Sequence, residues 1–231
     1  MRALRASLVL AAAALFACGG EVESLPRRTD GAPLLATLAG EAPSTRELRA
    51  GRLLEARARL EGTLAADPDR VAALNDLAVS YYLEARFDAA RQLLEETVNR
   101  GGAREQQAAL VNLAELYAVD GYLTAAQAYL GSARAIDPAR PEPAYALALL
   151  ADARGDRVGA LALIRSALRA DDGGAARRHF AFAYSEERTH LEALVAEASG
   201  DTAGADARWR ELRAGRFPAL AQAAQKHLDE P

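Results

Sequence analysis

Three histidines, His179, His190 and His227, and one cysteine, Cys18, are the residues of this 231-residue chain best suited to chemistry. Glu187 and His190 stand three apart, so a helix would place both on one face. A di-iron bundle uses that spacing, but it needs two such motifs and further carboxylates from other helices. This chain carries one. A lone cysteine makes neither an intramolecular disulfide nor a thiolate zinc site. Lys226 follows no glycine-rich loop, which excludes a phosphate-binding loop of that kind. A Gly-x-Ser-x-Gly nucleophile elbow is absent. The expectation is a non-enzymatic protein without cofactor, metal or small-molecule substrate. The remaining enzymatic alternative is a hydrolase or transferase with an unrecognised site at 175–200.

What must position these residues is legible from composition. Hydrophobic residues make up 51% of the chain but aromatics only 6%. Alanine supplies much of the difference, and small apolar side chains suit helices that approach one another closely. The net charge is −4, with both signs interspersed and no basic tract. Nucleic acid is therefore not an expected partner. Lys226 is the only lysine.

The first residues read as an address. Arg2 and Arg5 precede an apolar run from Leu8 to Phe16. A bilayer-spanning helix needs roughly 20 apolar residues, so this run is too short to span and fits a signal peptide. Leu15-Phe16-Ala17-Cys18 resembles the lipobox of bacterial lipoproteins. That resemblance implies cleavage of residues 1–17 and lipidation of Cys18. Gly19 follows the cysteine, and the absence of aspartate there implies the outer membrane, facing the periplasm. Residues 18–43 are then expected to be the lipidated cysteine and a flexible linker. Such a tether has an end-to-end distance of roughly 25–30 Å. Leu34 to Leu38 could form a helical turn, but Pro33 and Pro43 bracket it.

From residue 44 the chain repeats itself. Ala56, Ala90, Ala126, Ala160 and Ala205 each stand four residues before a large apolar side chain: Leu60, Leu94, Leu130, Ile164 and Trp209. The alanine spacings are 34, 36, 34 and 45. Leu74, Leu77, Ala78 and Tyr81 lead into the second alanine. Leu110, Leu113, Ala114 and Tyr117 lead into the third, and Ala144, Leu147, Ala148 and Ala151 into the fourth. Each unit reads as two antiparallel helices that cross at the small residues. Gly121, Gly155 and, less ideally, Ala85 fall at the turn between them. Pro68 and Pro138 separate units.

This pattern resembles the tetratricopeptide repeat over about residues 44–215. The resemblance implies an all-α, right-handed superhelical solenoid of helix-turn-helix repeats, with about five units in a domain at 44–231. One unit cannot bury its apolar face alone, so units stack and the ends need covers. Phe217 to Leu228, with Pro218 in its first turn, reads as a capping helix at 217–229. Ser44 and Glu47 could cap the short first helix.

The long spacing reflects an insertion near 175–185. In His179-Phe180-Ala181-Phe182-Ala183-Tyr184, aromatics recur every second residue, which is strand-like alternation. Three readings stand: a connector pinning its aromatics into the seam between repeats, an aromatic edge pairing with a partner strand, or a helix despite the alternation. Ser185 is a candidate cap for the following helix, with Glu186 and Glu187 in its first turn.

Partners of the resembled family lie in the concave groove formed by the first helices. Its groove positions fall here on Asn75, Val79, Tyr82 and Leu83; on Val111, Glu115 and Val119; on Glu142, Tyr145, Leu149 and Asp152; and on Glu187, His190, Leu194 and Glu197. No lysine occupies them, so the carboxylate clamp of the chaperone-binding subfamily is not expected. An acidic and aromatic groove suits a basic or apolar extended segment. The function implied is a protein–protein scaffold or assembly factor at the bacterial envelope. Examples are pilus or secretin, outer-membrane protein, or cell-wall enzyme assembly. The expected partners are other envelope proteins, with membrane attachment through the lipid. A structural spacer without a specific ligand is the second reading.

Overall fold

The computed structural model describes residues 31–40 and 43–229. Cys18 and the segment before it lie outside them. Five helix pairs follow one another: α1 (Pro43–Arg49) with α2 (Leu53–Ala66), α3 (Val71–Leu83) with α4 (Phe87–Arg100), α5 (Ala103–Val119) with α6 (Leu123–Ile136), α7 (Glu142–Ala153) with α8 (Arg157–Ala170), and α9 (Ser185–Ala198) with α10 (Thr202–Arg213). A last helix, α11 (Pro218–Asp229), closes the array. The architecture is an all-α solenoid. Two short strands are added to it, β1 (Ala36–Thr37) and β2 (Phe180–Ala181).

The repeat register holds at atomic detail. Ala56, Ala90, Ala126 and Ala160 have no exposed surface, and neither have their partners Ala78, Ala114 and Ala148 on the first helices. A methyl group is all that fits where two backbones cross. The large residues four positions on, Leu60, Leu94, Leu130, Ile164 and Trp209, are buried beside those crossings. The turns within units require positive φ at Ala85 (59°), Gly121 (84°), Gly155 (86°) and Gly200 (82°). Ala85 adopts that left-handed conformation at a cost of roughly 1–2 kcal/mol, since its Cβ crowds the following carbonyl. Asp156 and Asp201 cap α8 and α10 by accepting from Gly159 N and Gly204 N, each at 2.9 Å.

The insertion is not a helix throughout. Two 3-10 turns, Asp172–Gly174 and Ala176–His179, lead into β2. His179 thus belongs to a turn, while Phe180 to Tyr184 are non-helical. Phe180 is buried and Phe182 half-buried. Ser185 does not cap α9: its hydroxyl donates to Glu186 Oε2. Glu187 caps it instead, with Oε2 accepting from Ala183 N at 2.8 Å. Ser44 and Glu47 form no capping box either. Ser44 lies inside α1, and Glu47 pairs with Arg59 at 2.8 Å.

Leu220, Ala223 and Ala224 of α11 are buried, as a cap requires. Its His227 ring stacks on Trp209 at 3.9 Å between centroids, inclined by 12°. His227 Nε2 lies 2.7 Å from Asp152 Oδ1, and Nδ1 lies 2.6 Å from Glu197 Oε2. Burial disfavours the His227 charge, but the two carboxylates outweigh burial and raise its pKa.

Packing at the crossings yields a direct test. Ala126→Leu inserts three carbons where no surface is exposed. Overpacking of this kind costs about 1–3 kcal/mol, so chemical denaturation should show a lower midpoint. An unchanged midpoint would place Ala126 outside a crossing.

Candidate functional site: an occupied concave groove

The segment expected to be a free tether instead lies in the groove. Residues 32–39 are all buried. They run extended across α3, α5 and the insertion, with β1 forming an antiparallel ladder to β2: Ala36 faces Ala181 and Thr37 faces Phe180. Leu38 N donates to His179 O at 2.9 Å, continuing the register. The flexible-linker expectation therefore fails for 31–40, as does a helical turn at Leu34 to Leu38. Buried backbone must find hydrogen-bond partners, and here the groove side chains supply them to an extended chain.

Each contact is specific in geometry but not in side chain. Asn112 reads Thr37 twice: its Oδ1 accepts from Thr37 N at 2.7 Å and its Nδ2 donates to Thr37 O at 2.9 Å. Asn75 Nδ2 also donates to Thr37 O, at 3.1 Å, and Asn75 Oδ1 accepts from Asn112. Asp76 accepts from Ala39 N at 2.7 Å and Gly40 N at 3.3 Å. Glu115 Oε2 accepts from Leu34 N at 2.5 Å. Upstream, Ala32 N donates to Ala118 O at 2.9 Å. Side chains of the segment matter chiefly through size. Leu34 and Leu35 are fully buried, while Gly31 lies so close to Val119 O that a Cβ there would stand 2.2 Å from it.

The expected groove residues divide into two buried clusters instead of one open surface. Asn75, Tyr82 and Glu115 join Glu187 around the segment, and Val79 packs beneath them. Tyr82 Oη lies 2.5 Å from Glu115 Oε1 and 2.7 Å from Glu187 Oε1. The second cluster centres on Asp152, which binds His190 Nε2 and His227 Nε2, each at 2.7 Å. Burial opposes the Asp152 charge, yet the two histidines hold its pKa well below the usual carboxylate range. Tyr145 stands between the clusters, its hydroxyl on Asp171 at 3.0 Å and its ring edge-on to Phe180 at 5.5 Å. Leu149 is core, and Glu142 pairs with Arg140 at 2.5 Å. Glu187 and His190 therefore serve different clusters. Among the described residues no group of three or more His, Cys, Asp or Glu is placed to hold a metal ion, and no helix is long and apolar enough to cross a membrane.

Asp76 and Asn112 belong to the site although the family groove positions do not include them. They occupy equivalent places in the second and third units, 36 residues apart, each within a largely apolar stretch, 72–79 and 108–114. That recurrence is the signal that could have found them.

Two carboxyls around one tyrosine hydroxyl cannot both ionise cheaply. Burial pushes Glu115 up to about 7, against the hydrogen bonds from Tyr82 and Leu34 that favour its charge. Burial, and then the Glu115 charge, raise Glu187 well above its ordinary value. The pair titrates as a unit. Raised folded-state values mean that the native protein holds more protons than the unfolded chain above about pH 4.5. Stability from this pair is then complete below pH 4.5 and lost as pH rises through about 7, at no more than roughly 1.4 kcal/mol per pH unit for each proton involved. Glu115→Gln keeps an acceptor for Leu34 N and removes the titration. Thermal unfolding from pH 5 to 8 should fall less steeply in this variant than in the wild type; parallel curves would refute the shared proton.

Known proteins place the fold. A family model described as tetratricopeptide repeat matches residues 47–114. No curated protein matches the chain. Among solved structures, a thermophilic tetratricopeptide protein of Thermus thermophilus is 21% identical, with a TM-score of 0.52 over 80% of this chain and 95% of that one. The Cut9–Hcn1 hetero-tetramer of the APC/C is 17% identical, with a TM-score of 0.53 over 79% of this chain and 34% of that one. MamA is 17% identical at a TM-score of 0.44, over 82% and 99% of the two chains.

Proposed function

We propose that this chain, whose residues 47–114 match the tetratricopeptide-repeat model and whose fold is that of tetratricopeptide proteins, is a protein-interaction scaffold of the bacterial envelope. In this reading the anchor is lipid on Cys18, at the outer membrane and facing the periplasm. The concave groove takes an extended segment of an envelope protein in exchange for residues 32–39, and the scaffold has an assembly role, not an enzymatic one.

The observation that carries the reading is the backbone recognition at Thr37, Ala39 and Leu34 by Asn75, Asn112, Asp76 and Glu115. Side chains that bond to backbone accept many sequences, provided the chain is extended and slim. A partner segment of small and aliphatic residues meets that demand. The same occupancy favours a second reading, a spacer in which residues 32–39 are a permanent strut.

Exchange and strut separate experimentally. Leu34→Asp with Leu35→Asp places two charges at positions with no exposed surface, which should evict the segment and make residues 31–40 protease-sensitive. Photocrosslinking from position 79 inside cells should then capture an envelope protein more strongly than in the wild type. Eviction with no captured protein would favour the strut.

Attachment has its own test. Cys18→Ala should move the protein from the membrane to the soluble envelope fraction, because a lipid chain binds by about 0.8 kcal/mol per buried CH₂. Continued membrane association would refute the anchor.

A further inference from the structure

A second surface lies outside the tract taken by residues 32–39. A cleft of about 940 Å³ opens between the first and fifth units. One wall carries Arg49, Leu53 and Leu83; the other carries Phe182, Arg188 and Val195. Leu53, Leu83, Phe182 and Val195 are only partly buried, so apolar surface from two distant parts of the chain faces across the gap.

The charges along this cleft are unbalanced. Four guanidinium groups line it, against two carboxylates, Glu192 and Asp201. Those carboxylates are engaged: Glu192 holds Arg208 at 3.2 Å, and Asp201 caps α10. Arg177 is paired with Asp171, which lies outside the cleft lining. Arg49 and Arg188 are exposed and have no carboxylate partner among the described residues. Arg188 lies 5.3 Å from the Phe182 ring centroid, which holds its charge over the apolar wall. A cationic, apolar cleft in a chain of net charge −4 is a local departure that selects partners by sign.

We infer that this cleft docks a short acidic segment of a partner protein, its apolar side chains between Leu83, Phe182 and Val195 and its carboxylates on Arg49 and Arg188. Arg49 and Arg188 stand on opposite walls, so carboxylates on both flanks of an apolar stretch are matched. Concave walls rather than a flat face favour a peptide segment over a membrane surface. The cleft does not draw on the groove exchange described above, and either can fail alone.

The test uses the full chain in detergent and two dye-labelled synthetic decapeptides, one alternating leucine with glutamate and one alternating leucine with lysine. Fluorescence anisotropy should show binding of the glutamate peptide that weakens with added salt, because exposed charges are screened over about 8–10 Å. The lysine peptide should bind about tenfold more weakly or not at all. Arg49→Glu with Arg188→Glu changes two exposed residues and should reverse this preference while leaving the melting temperature unchanged. Phe182→Ala should weaken the glutamate peptide without reversing the preference. Tripolyphosphate in place of peptide tests for a simple anion site. Equal competition by tripolyphosphate, a preference unaltered by the charge reversal, or no binding of the glutamate peptide at millimolar concentration would each overturn the inference.

Discussion

A stretch of extended chain buried among helices has a problem that helices solve for themselves: its backbone amides and carbonyls have no partners in the neighbouring secondary structure. Leaving such a group unpaired costs about 1–3 kcal/mol. In this array the deficit at residues 32–40 is met by four polar side chains on the first helices of two adjacent units, together with a two-residue ladder from the insertion. Much of the remaining architecture follows. Asn75, Asp76, Asn112 and Glu115 are fully or almost fully buried on helices whose other inward positions are mostly Leu, Val and Ala, with Ser80, Tyr82 and Gln107 among them. The insertion interrupts the 34-residue period where a strand is needed to face Ala36 and Thr37. Glu187 reaches back from the fifth unit to hold Ala183 and meet Tyr82, linking the insertion to the second unit across more than a hundred residues.

The repeat architecture was legible in the sequence because its cause is local and periodic. A helix crossing that admits only a methyl group demands alanine at one register, and Ala56, Ala90, Ala126, Ala160 and Ala205 recur for that reason alone. The capping helix was legible too, from Pro218 and the amphipathic stretch that it opens. Position in the groove was also readable, since Tyr82, Glu115 and Glu187 do meet. Their accessibility was not. Nothing in the composition of 31–40, Gly-Ala-Pro-Leu-Leu-Ala-Thr-Leu-Ala-Gly, distinguishes a slim apolar ligand from a linker. Its seat is a non-local property, set by side chains between 36 and 81 residues away. The alternating aromatics at 180–184 announced a strand, but the identity of its partner depended on that same non-local seat.

The two ends of the groove manage charge in opposite ways. Around Tyr82 two carboxyls face each other with no ion pair to either among the described residues, and burial leaves proton sharing as the means of reducing their repulsion. Around Asp152 one carboxylate meets two imidazoles, and Glu197 adds a second carboxylate whose other partners are Arg157 and the Trp209 indole. Here burial and ion pairing coexist. The first cluster binds an internal segment through neutral or shared-proton acceptors; the second fastens a terminal helix through charge. Breaking one partner of a buried pair strands the other at a cost of several kcal/mol. The Asp152 cluster is for that reason a fixed clamp, and α11 belongs to the scaffold's permanent core.

Seating by backbone contacts sets how the groove can be emptied. A competing segment can reproduce the bonds from Asn75, Asn112 and Asp76, so exchange replaces like with like and the net hydrogen-bonding change is small. The internal segment has the advantage of attachment: it is joined to α1 by residues 41 and 42 alone, and a short connection gives an effective concentration in the millimolar range. A free competitor must overcome that advantage through side-chain contacts the native segment lacks, or arrive already concentrated by a second attachment. Deprotonation of the Glu115–Glu187 pair lowers the barrier from the other side, since it adds charge to a buried site without changing the competitor. Occupancy of the groove is thus governed by three separable quantities: backbone complementarity, which is generic; tether length, which is fixed by the chain; and the protonation of one carboxyl pair, which the surroundings set.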